Sequence, residues 1–147
     1  TASARHNGLM TAFNDRIIAE FHANNGVVGG PFAGARLLLL TTTGAKSGEP
    51  RIAPMMYFAE GDTAYVIASK AGAPTNPAWY YNLLAHPEVS IEAATDDGIV
   101  RYRARAETVT GELRDRLFAR FSSTNPGFAA YQRKTDRVIP VVALHRL

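Results

Sequence analysis

The residues of this chain best suited to chemistry lie in two short stretches. The first is the turn Gly44, Ala45, Lys46, Ser47, Gly48, Glu49 and Pro50, with Arg51 behind it. Two glycines permit backbone conformations closed to other residues, so several N–H groups can converge on one point, flanked by Lys46 and Arg51. Amides, a hydroxyl and two cations suit an anion, and phosphate is the commonest anion of a small-molecule cofactor. The same residues also make an ordinary polar hairpin turn, and the stretch alone does not choose between the two. A P-loop is excluded, because it needs Gly directly before the Lys and another five positions earlier, where this chain has Ala45 and Leu40. Pro50 also opens a new extended run where a P-loop needs a helix.

The second stretch runs from Lys70 to Asn82. KAGAPTN is a Gly/Pro loop, and Asn76 followed by Pro77 reads as a helix start, with Asn76 capping free amides and proline suiting the first turn. Trp79, Tyr80, Tyr81 and Asn82 then place aromatic faces and one amide on a helix whose N-terminus is partly positive. Aromatics at this spacing are also ordinary core material. The rest of the inventory is exclusion. There is no cysteine, and the four histidines are scattered without ligand spacing, so no metal site is expected. No Ser or Lys stands beside an oriented base, and Asp96 and Asp97 fall in a turn, which removes nucleophilic and paired-carboxylate catalysis. An enzyme built from these residues leaves the chemistry to a bound cofactor and supplies binding, orientation and a dry pocket.

With 147 residues, 46% hydrophobic and 20% charged, the chain reads as one globular domain over 1–147, of which 1–30 is an N-terminal helix and linker. No apolar run approaches the roughly 20 residues that span a bilayer, and no signal-peptide pattern opens the chain. The expectation is a cytoplasmic protein, with weak peripheral contact at the inner membrane face as a second role for the first helix. The net charge is +3, but the arginines are spread along strand and helix faces, so no nucleic-acid partner is expected.

The positioning elements follow from periodicity. Met10, Phe13, Ile17, Ile18 and Phe21 form one stripe of a helix over 10–24, ended by Asn25 and Gly26, and Gly29, Gly30 and Pro31 make a flexible link. Four leucines from Leu37 and three threonines to Thr43 form a strand buried on both faces. Residues 52–59 read as a second strand, Glu60 to Asp62 as a turn and 64–69 as a third strand. The helix over AWYYNLLAH stops before Pro87, and 89–93 pairs with 99–109 across a turn. In the latter run Arg101, Arg103, Arg105 and Glu107 alternate with Tyr102, Ala104 and Ala106, which puts the arginines on a solvated exterior. Thr110 begins another helix with Leu113, Leu117, Phe118 and Phe121 on one side. Asn125 to Gly127 break it, a short aromatic segment with Phe128 and Tyr131 follows, and 138–144 closes the chain as a strand. About six antiparallel strands, with helices at the N-terminus, middle and late part, predict a mainly β fold with added helices, a closed or nearly closed barrel.

TTTGAKSGEPR, then IASKAGAPTNPAWYYNL, HPEVSIE and TDRVIPVV, together resemble the actinobacterial deazaflavin-dependent nitroreductases of the F420H2-dependent quinone reductase type. The resemblance covers roughly Leu37 to the C-terminus in order. It implies an FMN-binding split-barrel-like fold, coenzyme F420, and hydride transfer to a quinone or nitroaromatic acceptor. By position it implies that Ala45, Lys46, Ser47 and Arg51 hold the cofactor phosphate and acidic tail. Ile52, Ala53, Pro54, Met55 and Met56 would line the deazaflavin. Ile67, Ala68, Ser69 and Lys70 would contact ring or tail; Ala78, Trp79, Tyr80, Tyr81 and Asn82 would complete the cradle. Phe128 and Tyr131 would cover the acceptor side. Members that handle bulky nitroimidazoles tend to carry tyrosines where this chain has Met56 and Phe128, which turns the expectation toward quinones.

These roles agree with the residues themselves: a phosphodiester and an oligoglutamate tail need cations and amides, and a flat ring needs apolar walls. Ser69 and Tyr131 are the candidate catalytic residues, as proton donors and stabilisers of developing negative charge. Three rival readings share the barrel: an FMN-dependent oxidoreductase, a non-catalytic F420 carrier, and a nucleic-acid-binding barrel, for which only Tyr102 among the arginines speaks.

Overall fold

The computed structural model describes residues 2–29 and 36–147, with side chains from Phe13 onward. Helix α1 (Ala2–Ala23) leads to β1 (Leu37–Thr43), β2 (Pro50–Met56), β3 (Phe58–Glu60) and β4 (Thr63–Ile67). Helix α2 (Ala78–Ala85) is followed by β5 (Glu88–Thr95) and β6 (Gly98–Val109). Helices α3 (Gly111–Thr124) and α4 (Pro126–Arg133) then precede β7 (Val141–Arg146). The side chain of Met10, together with Gly30 and Pro31 of the linker, lies outside the described residues.

The sheet has seven strands rather than six, every neighbouring pair antiparallel, in the order β2-β1-β5-β6-β7-β4-β3. The expected second strand over 52–59 is two strands divided at Tyr57. Its halves lie on opposite edges of the sheet, so a single residue joins the two edges and the sheet must curl into a barrel. The Tyr57 hydroxyl donates to the Ala94 carbonyl at 2.5 Å and ties this seam to β5.

The four leucines of β1 are all buried because the strand has no wet face. Leu38 and Leu40 point into the barrel with Val66, Val89, Ile91, Val142 and Leu144. Leu37 and Leu39 point out, beneath Ile17 and Phe21 of α1. The apolar stripe of α1 is thus packed on the sheet. On the far side, Leu117, Phe118 and Phe121 of α3 cover Ile67, Val141 and Ala143. Each of these layers removes several large side chains from water, the dominant stabilising term.

Several local expectations change. Leu113 is 47% exposed, and the inward stripe of α3 is Arg114, Leu117, Phe118 and Phe121, which keeps the i, i+3, i+4, i+7 spacing. The aromatic segment is a helix, α4, with Pro126 in its first turn, where the missing N–H costs nothing. The last strand begins at Val141 rather than 138, since Val138 is 68% exposed and Pro140 cannot donate to a ladder. Neither Asn76 nor Thr110 caps a helix through its side chain. The arginine row is on the exterior as expected, with Arg101 and Arg103 paired to Glu92 and Glu88 at 3.1 and 3.2 Å.

Tyr57 offers a test of the seam. Tyr57→Phe leaves the Ala94 carbonyl without this donor and is expected to lower stability by about 1–3 kcal/mol in urea titrations. Burial pushes the Tyr57 phenol above its ordinary value, with Arg36 opposing. A raised folded-state pKa contributes stability below the unfolded value near 10, lost as pH rises through the folded one. Tyr57→Phe should therefore flatten the loss of stability above about pH 10.

Candidate active site

A cleft of about 1370 Å³ opens along β2 and is floored by the β1–β2 turn, the loop after β4, α2 and α4. β2 is an edge strand paired only with β1, and its two prolines, Pro50 and Pro54, fit an edge that lacks a second partner. From the β1–β2 turn come Ala45, Lys46 and Ser47, and from β2 Arg51, Ile52, Ala53, Pro54, Met55 and Met56. Ile67, Ser69 and Lys70 reach the same cleft from β4 and its loop; Ala78, Trp79, Tyr81 and Asn82 reach it from α2. Phe128 and Tyr131 line it from α4.

Two of the expected site residues do not reach the cleft. Ala68 is fully buried in the barrel; its N–H donates to the Pro140 carbonyl and its own carbonyl accepts from Arg137, so no group is left for a ligand. Tyr80 turns inward from α2, and its hydroxyl shares a 3.1 Å hydrogen bond with Thr108. On a helix, neighbouring residues point about 100° apart, so Trp79 and Tyr81 can line the cleft while Tyr80 cannot.

The β1–β2 turn works differently from the expected amide cradle. The Gly44 N–H donates to Glu49 O at 2.8 Å, Gly48 N–H to Gly44 O at 2.9 Å, and Glu49 N–H to Ser47 Oγ at 3.2 Å. The Ala45 N–H donates to Asn82 Oδ1 at 3.0 Å. Four amides are thus engaged within the protein, and the side chains of Lys46, Ser47 and Arg51 are the polar groups that the turn and the start of β2 bring to the cleft. A Cβ on Gly44 would sit 2.4 Å from Ser47 Oγ and would push that hydroxyl away from the Glu49 N–H. Asn82 also donates through Nδ2 to Thr42 Oγ1 at 3.2 Å, so one side chain bolts α2 to both β1 and the turn.

Charge is distributed unevenly. Lys46, Arg51 and Lys70 line the cleft, and among the described residues no lining residue is Asp or Glu. Arg51 has one distant carboxylate, Glu49 at 3.6 Å, and Lys70 Nζ donates to Thr75 Oγ1 at 3.2 Å. The apolar wall, Ile52 to Met56 with Ile67 and Trp79, faces Phe128 and Tyr131. Among the described residues nothing hydrogen-bonds the side-chain hydroxyls of Ser69 or Tyr131, and no cluster of metal-ligating groups occurs.

The sequence did not single out Phe13 and Asn14 of α1, or Ala71, Pro77 and the 124–127 corner, as cleft residues, yet all line it. Also missed were the polar residues behind the walls, Arg114, Gln132 and Arg137. The one signal was TDRVIPVV, in which an arginine and a proline stand at the entry of a buried strand.

A curled antiparallel sheet with a cationic, apolar-walled cleft at its seam defines a split-barrel protein that binds a flat, anionic-tailed cofactor. The protein-family model of the F420H(2)-dependent quinone reductases matches residues 15–146. An F420H(2)-dependent quinone reductase of Mycobacterium tuberculosis H37Rv is 37% identical over 147 residues, 97% of this chain and 94% of that protein. Among solved structures, an F420-H2 dependent reductase is 38% identical, covers 74% of this chain and 93% of its own, and superposes with a TM-score of 0.64. A domain-swapped dimer is 34% identical, covers 95% and 98%, and gives a TM-score of 0.66. The chain belongs to the F420H(2)-dependent quinone reductase family, and is accordingly an oxidoreductase whose cofactor is coenzyme F420.

Asn82→Ala removes both bolts between α2 and the turn. The expected result is a stability loss of about 1–3 kcal/mol in thermal unfolding, with faster hydrogen exchange at the Ala45 amide.

Proposed function

We propose that the cleft holds reduced F420 against β2, with its tail at the β1–β2 turn and Lys70, and presents it to a quinone on the α4 side. The observation that carries this reading is the lining charge: among the described residues, three cations and no carboxylate. Such a surface attracts a polyanion, and a phosphodiester with an oligoglutamate tail is one. The apolar wall of Pro54, Met55, Met56 and Trp79 matches a flat ring. The volume, about 1370 Å³, exceeds the roughly 300–1,000 Å³ typical of a single-ligand pocket and leaves room for cofactor and acceptor together.

When bound, reduced F420 supplies a hydride. The chain's own residues bind, orient and exclude water. Lys46, Ser47 and Arg51 fix the anionic end, and Met56 and Phe128 bound the acceptor space with apolar side chains, suited to a planar quinone or a small nitroaromatic. Ser69 or Tyr131 donates a proton to the acceptor oxygen and steadies the charge that develops there, so hydride and proton together give the quinol. A cytoplasmic location, with transient contact at the inner membrane face where lipid quinones reside, belongs to the same proposal. No described helix is long and apolar enough to cross a membrane.

Trp79 lines the cleft and is the single tryptophan, so its fluorescence reports the site. Saturable quenching by oxidised F420 and none by FMN is the expected result. Quenching by FMN alone would overturn the cofactor assignment, and F420 binding without quinone-dependent oxidation of the reduced form would leave a carrier protein. Lys46→Ala should raise the F420 dissociation constant about 10- to 100-fold and spare kcat at saturation. An unchanged constant removes Lys46 from the anion site. In steady-state assays, Ser69→Ala or Tyr131→Phe should cut kcat by about 10²-fold, the typical worth of a positioned proton donor. Full turnover in both assigns the proton to solvent.

A further inference from the structure

The loop that carries Ser69 and Lys70 contains an unusual backbone. Lys70, Ala71 and Gly72 have φ of 46°, 53° and 81°, three consecutive residues in the left-handed region, two of which carry a Cβ. L-residues other than glycine enter that region at a steric cost, and they persist there where the surroundings over-determine them. The turn's own hydrogen bonds are few: Gly72 N–H to Ser69 O and Ala73 N–H to Lys70 O, each 3.0 Å. Against α4 it is packed so closely that a Cβ on Gly72 would lie 2.8 Å from Tyr131 O.

What over-determines the turn is Arg137. Its Nη2 donates to Ser69 O at 2.7 Å and its Nη1 to Ala68 O at 3.2 Å, both before the left-handed residues. Its Nε donates to Ala73 O at 2.9 Å and Nη1 to Asn76 Oδ1 at 2.7 Å, both after them. One planar fork therefore holds both ends of the turn, which a single ammonium cannot reproduce. Arg137 is itself fixed from behind. Gln132 Nε2 of α4 donates to its carbonyl at 2.7 Å, while Gln132 Oε1 accepts from Ile139 N–H at 2.9 Å and Arg114 Nη2 at 2.8 Å.

We propose that Arg137 is a positioning residue: by clamping both ends of the left-handed turn it presents Ser69 and Lys70 to the cleft and thereby sets the affinity for the anionic cofactor. Arg137 is not among the residues that line the cleft, so it acts through the turn. The proposal rests on the reading of the cleft as the F420 site.

The test compares Arg137→Gln and Arg137→Lys with the wild-type chain in three measurements: hydrogen exchange at the Gly72 and Ala73 amides without cofactor, the F420 dissociation constant from Trp79 fluorescence, and the split between KM and kcat. Arg137→Gln should speed exchange at those amides well beyond the change elsewhere, and raise the dissociation constant about tenfold or more. At saturating cofactor kcat should fall as well, but by less than the roughly 10²-fold of Ser69→Ala, because the clamp positions the hydroxyl without supplying it. Arg137→Lys should lie between the two. Adding Ala71→Gly to Arg137→Gln should recover several-fold of the lost affinity, because glycine adopts the left-handed turn without strain, and a purely structural loss would not respond to it. Unchanged F420 affinity in either variant overturns the proposal, as does lost affinity with wild-type exchange at Gly72 and Ala73. Should Arg137→Gln fail to fold, Arg137→Lys is read by the same criteria. If the wild-type chain itself shows no saturable F420 binding, it is the cofactor reading that fails, while the exchange data still report on the clamp.

Discussion

The structure depends on one covalent constraint: β2 and β3 occupy opposite edges of a seven-stranded sheet, and only Tyr57 separates them. A flat sheet would hold those edges far apart, so the chain can be satisfied only by curling. The curl leaves an interior filled by leucines and valines with Ala64, Ala68, Ala93, Ala104 and Ala106. The available concavity is at the seam, where β2 has one paired side and one open side, and there the cleft lies.

Because the seam defines the cleft, the covering helices act as walls as well as insulation. α1 buries the outward leucines of β1 and brings Phe13 and Asn14 to the cleft. α2 sends Tyr80 and Leu83 into the barrel and Trp79 to the cleft, and its Asn82 holds the β1–β2 turn. An error in barrel packing is therefore an error in site geometry. Arg114 is a case in point. It is 9% exposed, and through Gln132 and Ile139 it connects the core face of α3 to the helix that carries Phe128 and Tyr131.

How much of this the sequence shows divides along local and non-local lines. The doubly buried β1 and the wet and dry faces of β6 can be read from neighbouring residues, since strand burial is short-range; for Lys46, Trp79 and Asn82 the residues alone leave a polar turn and ordinary core open, and only the family resemblance points to the cleft. The division at Tyr57 cannot be read from its neighbours, because 52–59 reads IAPMMYFA, an unbroken apolar run, and nothing local says that the chain changes edges there. Hydrophobicity alone places Leu113 inward, although the i, i+3, i+4, i+7 spacing of the stripe selects Arg114; a buried arginine makes sense only once the Ile139 carbonyl is known to face it. Asn76 looks like a cap for a similar reason. Its side chain accepts from Arg137, 61 residues away, and no propensity rule reaches that far.

The distribution of charge follows from the same geometry. Exterior arginines have carboxylates across the strand, at Glu88 and Glu92, or along the neighbouring helix, where Glu60 meets Arg116 and Arg120. Those pairs are exposed and contribute little to stability, but they cancel the field on that surface. The cations of the cleft have no carboxylate among its described lining residues, so the field inside it is positive. The clamp behind the cleft keeps to the same rule. Arg137 bonds three carbonyls and one amide oxygen and no carboxylate, so it orders the loop without introducing a negative charge beside the site. A carboxylate in its place would find the Gly72 and Ala73 N–H groups already bonded within the turn, and its field would oppose an anion in the cleft.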